Sequence, residues 1–317
     1  METVNRSAAL AEFDSTIWAM EPQALRNMRD ALERGPEMIS AATPGNRRSD
    51  PIASDGKFIA VLPISGPISD KPTLWTAIFG GTVLSQWLEN FNAAVANPRI
   101  HGIVLDVNSP GGSVAGVTEA ASQIRQARDR KPIFAVSNSL MASAAYALGS
   151  QAHKVLTLRS GMTGSIGTYS LHLDHSRALD KAGITPTFIY AGERKVDGSP
   201  YLPLSDRAKA DEQGIVNFYF RQFIQDVAAG RGLEEDWVRS RMADGRVHTS
   251  DTAYVLRFVN GTVSGLPQAV EQVAGTTAGR LAAAWTQFRV EEAIDPGGIE
   301  RARNMKLRAE LALLDCN

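Results

Sequence analysis

The chain has 317 residues, 44% of them hydrophobic and 21% charged, ordinary values for a globular protein long enough to bury a core. Its 33 Lys and Arg nearly cancel 34 Asp and Glu, leaving a net charge of −1 and no global field to draw it to nucleic acid or an anionic membrane. The single cysteine, Cys316, excludes an internal disulfide framework and a cysteine-based metal cluster, and no run approaches the ~18 apolar residues of a membrane span. The opening METVNRSAALAEFDSTIWAM lacks the basic and apolar regions of a secretory signal, so a cytoplasmic location is expected.

In chain order, PQALRNMRDALERG (22–35) places Leu25, Met28 and Leu32 at helical spacing, with Pro22 in the first turn and Gly35-Pro36 as a stop. Residues 1–38 therefore read as an N-terminal helical segment. Residues 39–57, rich in Ser, Pro, Gly and charge without an apolar period, read as a linker. From Phe58 the pattern alternates. FIAVLPISG and IHGIVLDVNS are continuous apolar runs, and TVLSQWLENFNAAVANP between them sets Leu84, Trp87, Leu88, Phe91 and Val95 on one helical face.

The same alternation continues with a helix through Val114, Val117, Ala121 and Ile124, a strand at PIFAVS and an Ala-rich helix from Ala142. A strand at KVLTL, a helix near SRALDKAG and a strand at TPTFIYAG follow. The expected fold is α/β, a largely parallel sheet with flanking helices, because near-continuous apolar strands need both faces covered. Ser205 is a suitable N-cap for a long helix over 205–229 carrying Ile215, Phe218, Phe223 and Val227, and GLEEDWVRSRM suggests another. The core domain is expected over 58–278, and 279–317, with a break at Pro296–Gly298, as a helical tail.

Two loops carry candidate chemistry. NSPGGSV (108–114) follows a strand and precedes a helix, where parallel sheets place ligands, and its paired glycines let backbone amides come close. Such a loop suits a phosphate cradle or an oxyanion hole. Ser143 also lies between a strand and a helix start, among the small Ala142, Ala144 and Ala145. It is a packing residue or a nucleophile, and a nucleophile needs a base. Of His101, His153, His172, His175 and His248, the pair His172 and His175 in SLHLDHS are candidates. Lys195 in YAGERKVDGSPY is another, provided burial or a nearby positive charge lowers its pKa from ~10.4.

SPGG, then MASAAY, then TGSIG (163–167), then KVDGSPY, in that order, resemble the S49 family of serine peptidases, the signal peptide peptidase A group and its phage prohead protease relatives. The similarity runs from about Phe58 to Val247. It implies a Clp/crotonase-like β-α superhelix, with Ser143 as the acylating nucleophile, Lys195 as general base and Ser165 orienting the lysine. It also implies an oxyanion hole from Gly111 or Gly112 with Ala144, and substrate backbone pairing at Ser113 and Val114. The resemblance implies no cofactor and no metal, protein substrates, and a homo-oligomeric ring in which some members supply Ser and Lys from neighbouring protomers.

The absence of a membrane anchor, the FDSTIWAMEPQAL opening and KVDG-x-PY make the chain more similar to the phage subgroup, whose substrates are scaffold, capsid or portal proteins inside a procapsid. After GRVHTS the chain departs from the family pattern, so the last sheet element is where the resemblance is weakest. The competing readings are peptide degradation of the signal-peptide-peptidase kind, a crotonase-like acyl-CoA enzyme, a Clp-like peptidase pairing Ser143 with His172 or His175, and a non-catalytic scaffold.

Overall fold

The computed structural model describes residues 6–34 and 51–277. The N-terminal part consists of α1 (Arg6–Asp14), β1 (Trp18–Met20) and α2 (Pro22–Arg34). Then follow β2 (Ile52–Ser54), β3 (Lys57–Ser65), β4 (Ile68–Ser69), α3 (Leu74–Phe79), β5 (Thr82–Val83), α4 (Leu84–Ala96) and β6 (Ile100–Ser109). Next come β7 (Gly111–Ser113), α5 (Val117–Ala127), β8 (Ile133–Ala142), α6 (Ala144–Gly149), β9 (Lys154–Leu158) and β10 (Met162–Gly164). The chain continues through α7 (Ser176–Lys181), α8 (Asp206–Arg231), α9 (Glu235–Arg241), β11 (Val247–Thr249), α10 (Ser250–Val255), β12 (Gly261–Val263) and α11 (Leu266–Ala274).

The main sheet runs β11-β10-β8-β6-β3-β2, and β9, flanked by β12, joins the first half of β8. The pairings β3–β6, β6–β8, β8–β9, β8–β10 and β9–β12 are parallel, while β2 and β11 run antiparallel at the edges. The fold is thus α/β with a largely parallel sheet, as the apolar runs predict. Side chains alternate across it with the two-residue period of a strand. Ala60, Leu62, Ile64, Ile103, Leu105, Ile133 and Ala135 face the larger core under α4, α5, α6 and α8, whereas Ile59, Val61, Val104, Phe134 and Val136 face α11. Burial on both faces is why these strands read as unbroken apolar runs.

A second, small sheet, β1-β7-β4-β5, lies at the carboxyl end of β3 and β6. Its strand β1 is held from behind by an aromatic cluster: Trp18 lies 4.7 Å from Phe13 and 5.3 Å from Trp75, centroid to centroid, among Ala9, Met20, Leu25 and Leu32. No helix among the described residues is long and apolar enough to cross a membrane.

Several expectations change. TPTFIYAG forms no strand: residues 184–190 are irregular, with Ile189 99% and Tyr190 53% exposed, because no sheet edge is there to pair with them. Inside the predicted linker, Ile52–Ser54 pairs with Lys57–Ile59 as an edge strand; residues 39–50 and the predicted tail 279–317 lie outside the described residues. In the predicted 205–229 helix, Ser205 caps as expected, its hydroxyl accepting from Ala208 N at 3.2 Å. Yet Ile215 (44% exposed) and Phe218 (47%) face outward while Phe223 and Val227 are buried. A last sheet element, β12, does form beyond GRVHTS, joining β9 in parallel register.

Candidate active site

The ends of β6 and β8 lie side by side, with Ser109 paired to Met141 after a register shift that follows Val107. The residues just beyond both strands therefore meet. Ser143 directly follows β8 and caps α6, its carbonyl accepting from Ala147 N at 2.9 Å and its own N–H donating to Gly164 O at 2.8 Å. Its φ of 54° and ψ of −122° lie where a non-glycine residue is strained. The side chain is fully buried and Oγ has no hydrogen-bond partner among the described residues. A hydroxyl that is strained, desolvated and unpaired adds nothing to folding, and such outliers concentrate at functional sites.

The glycine pair of SPGG approaches from β7. A Cβ on Gly111 would stand 2.9 Å from Ser143 Cβ and 3.0 Å from Ala144 N, and would collide with Ala19 O. Only glycine, here at φ 97°, lets the loop come this close to the serine. Gly112 is equally enclosed, since a Cβ there would collide with the Ile68 backbone. Gly111 N donates to Ser109 Oγ at 3.2 Å, and that hydroxyl donates onward to Gly66 O at 2.6 Å. Ser109 thereby fixes the loop, a role the sequence pattern alone did not reveal.

Ser165 lies just past β10, on the strand that pairs with the end of β8, and is almost buried at φ 57°, its N–H donating to Arg246 O at 2.6 Å. The candidate bases are not assembled with Ser143 within one chain. Lys195 is exposed on a turn from 191 to 199, where only its backbone N–H, bonded to Gly192 O at 3.0 Å, is engaged. The turn is fastened to α8 by ion pairs from Arg207 to Glu193 (2.6 Å) and Asp197 (3.1 Å) and from Arg194 to Asp211, while Arg194 to Asp197 (2.7 Å) braces the turn internally. His172 and His175 make no bond to Ser143 Oγ either, although His172 Nε2 is buried without a partner. His153 lies in the core, where burial and the nearby Arg128 hold its pKa down at about 4, and its Nδ1 accepts from Ile133 N at 3.2 Å.

Ser113 and Val114, expected to pair with a substrate backbone, pair instead with this chain's own β1. The register sets Trp18 against Ser113, Ala19 against Gly112 and Met20 against Gly111, and Val114 N donates to Ile17 O at 3.1 Å. On its other side Trp18 exchanges two hydrogen bonds with Tyr169, of 2.9 and 3.0 Å. The apolar run Ile17-Trp18-Ala19-Met20 between polar neighbours was the available signal for this strand, too short to separate from loop by periodicity. Beside Ser143 a cleft opens, lined by Ala19, Val114, Val117, Ala144, Tyr219 and Phe223, with Asp226 also on its wall.

An apolar cleft next to a buried serine hydroxyl and the Ala144 amide, beside a strand that already pairs with an extended segment, is suited to holding an extended peptide. Residues 125–278 match the model of peptidase family S49. Capsid assembly protease C of Escherichia phage lambda is 33% identical over 213 residues, 63% of this chain and 48% of that protein. The head-tail preconnector protein GP5 of Enterobacteria phage P21 is 33% identical over 180 residues, 57% of this chain and 36% of that one. A putative signal peptide peptidase SppA of Enterococcus faecium is 30% identical over 204 residues, 63% of this chain and 58% of that protein. The alignments thus span between about a third and somewhat over half of these relatives. Among solved structures, a mutant of the 1510-N membrane-bound stomatin-specific protease aligns over 70% of this chain and 87% of that one at 12% identity, with a TM-score of 0.42. From the matched segment and the relatives that share it, residues 125–278, just under half of the chain, are similar to peptidase family S49.

Proposed function

We propose that the protein is a serine endopeptidase that uses Ser143 and Lys195, and that it cleaves scaffold, capsid or portal proteins during maturation of a phage head. The observation that carries this is the close approach of Gly111 to Ser143, where a Cβ on Gly111 would stand about three ångströms from both Ser143 Cβ and Ala144 N, around a serine held at positive φ. The phage relatives named for capsid assembly and head-tail connection support the substrate class.

In the reaction, the neutral Lys195 amine takes the Ser143 proton as Oγ attacks the scissile carbonyl, and returns it to the leaving amine. The amides of Ala144 and of Gly111 or Gly112 receive the developing oxyanion, typically worth ~3 kcal/mol per donor. Water then releases the acyl group, with the lysine again moving the proton. Ser165 orients the lysine ammonium.

Because Lys195 is exposed and Ser143 Oγ has no partner among the described residues, the dyad is completed between two copies. The exposed Ile184, Ile189, Tyr190 and Tyr201 near that turn are apolar surface that a neighbouring copy would cover, in keeping with a ring. The working location is then the host cytoplasm or the procapsid interior. Ser143→Ala and Lys195→Ala are each expected to lose cleavage of a co-expressed head protein. An even mixture of the two recovers about a quarter of wild-type activity, the chance that an intact serine meets an intact lysine. A mixture as inactive as its parts, with copies shown to exchange, removes the two-copy dyad.

A Ser143–His172 pairing is the second reading, favoured by the buried, unpartnered His172 Nε2. Its signature is loss of activity in His172→Ala with Lys195→Ala still active.

A further inference from the structure

We propose that Ile17–Glu21 occupies the position of a peptide substrate, so that this segment both shows what the groove accepts and blocks it until it leaves; the inference rests on the peptidase reading above. The segment is bound as an extended peptide would be. It lies between two backbone partners, antiparallel to β7 on one side and to Tyr169 on the other. Backbone hydrogen bonds run along its length: Val114 N to Ile17 O (3.1 Å), Trp18 N to Tyr169 O (2.9 Å), Tyr169 N to Trp18 O (3.0 Å) and Glu21 N to Pro110 O (2.7 Å). Main-chain pairing to a strand edge is sequence-tolerant and is a general way for a protein to take an extended peptide.

The segment also passes the reacting atoms. Ala19 O reaches the point where a Gly111 Cβ would be, beside Ser143 and Ala144 N. With the segment in place Ser143 has no accessible surface. A merely structural strand has no reason to run across a strained, unpaired hydroxyl.

Side-chain alternation separates recognition from anchoring. Ala19, 3% exposed, points into the cleft with Val114, Val117, Ala144 and Phe223. Trp18 and Met20 point the other way, into the cluster with Phe13, Leu25 and Trp75. The groove at this position therefore takes a small apolar side chain, and the large flanking residues tether the segment to α1, α2 and α3 rather than to the cleft. A protein substrate with a small side chain at the central position displaces it by forming the same backbone bonds.

The test uses the full-length chain and a fluorophosphonate probe for Ser143. Ala19→Arg, whose side chain does not fit the cleft, is expected to label about tenfold faster than wild type or more, since a groove open a tenth of the time reacts at a tenth of the rate. A free peptide with the sequence TIWAMEP (16–22) slows that variant back toward the wild-type rate. Hydrogen exchange needs no variant: the amides of Trp18 and Glu21 exchange slowly in the free wild-type protein and fast once Ser143 is fully labelled. A folded Ala19→Arg that labels no faster, or a fully labelled wild type whose Trp18 and Glu21 amides stay protected, overturns the proposal. Absence of labelling in every variant, with TIWAMEP still protecting the Val114 amide of Ala19→Arg, upholds the groove and its occupant and removes the peptidase reading alone.

Discussion

Replacing Ser143, the proposed nucleophile, is expected to stabilise the protein. Ser143 carries two local penalties: backbone strain at φ 54°, ψ −122°, and a buried Oγ with no partner. An unsatisfied buried hydroxyl costs about 1–3 kcal/mol. Strain of this kind costs about 1–3 kcal/mol as well. Ser143→Ala deletes the hydroxyl and keeps the backbone, so it should gain about 1–3 kcal/mol, or roughly 2–12 °C in Tm for a domain of this size. Ser143→Gly also relieves the strain, at an entropic loss of about 0.5–1 kcal/mol, so it should equal or exceed the alanine variant. Urea unfolding at constant m and matched protein concentration reads both gains as a higher midpoint. A Ser143→Ala protein no more stable than wild type, with m unchanged, refutes the claim that this hydroxyl is held at the expense of the fold.

Four further outcomes are expected. Tyr146→Phe removes a buried hydroxyl that donates to Phe258 O at 3.0 Å and should lower stability by about 1–3 kcal/mol in the same assay, because the carbonyl is left unpaired. Burial lowers the His153 pKa to about 4, below its unfolded value, so its contribution to stability is full above ~6.5 and is lost as pH falls toward 4; His153→Gln should flatten that loss. Burial raises the Asp226 pKa to about 6, above its unfolded value, so its contribution is full below ~3.9 and is lost as pH rises to 6; Asp226→Asn should gain on the order of 2 kcal/mol relative to wild type at pH 8 and little at pH 4. Gly112→Ala drives a Cβ into the Ile68 backbone between β7 and β4, and should abolish probe labelling while lowering the midpoint by about 1–3 kcal/mol.

The parallel sheet was legible because burial on both faces leaves a local mark, the unbroken apolar runs of β3, β6 and β8. Helix α8 was legible through its cap at Ser205. TPTFIYAG carries the same apolar mark without a strand, since apolarity records the need for cover and not its source; Ile189 and Tyr190 find none in their own chain. Strand β1 escaped for the opposite reason. Its three residues pair with Gly111–Ser113, more than ninety positions away, and nothing within the triplet records that partner. Ser143 and Gly111 were readable as candidate site residues from their places at the strand ends. The 52-residue interval from Ser143 to Lys195 carried no distance information, and the two side chains lie apart.

The aromatic cluster behind β1 gives the molecule an optical reporter. Trp18 and Trp75 are two of the five tryptophans, their rings 5.3 Å apart and almost fully buried. Withdrawal of this strand would hydrate both indoles at once, shifting emission to longer wavelength and weakening the near-ultraviolet dichroism of the pair. Occupancy of the groove can therefore be followed in unlabelled protein, in real time, with Trp87 in the main core serving as a constant background.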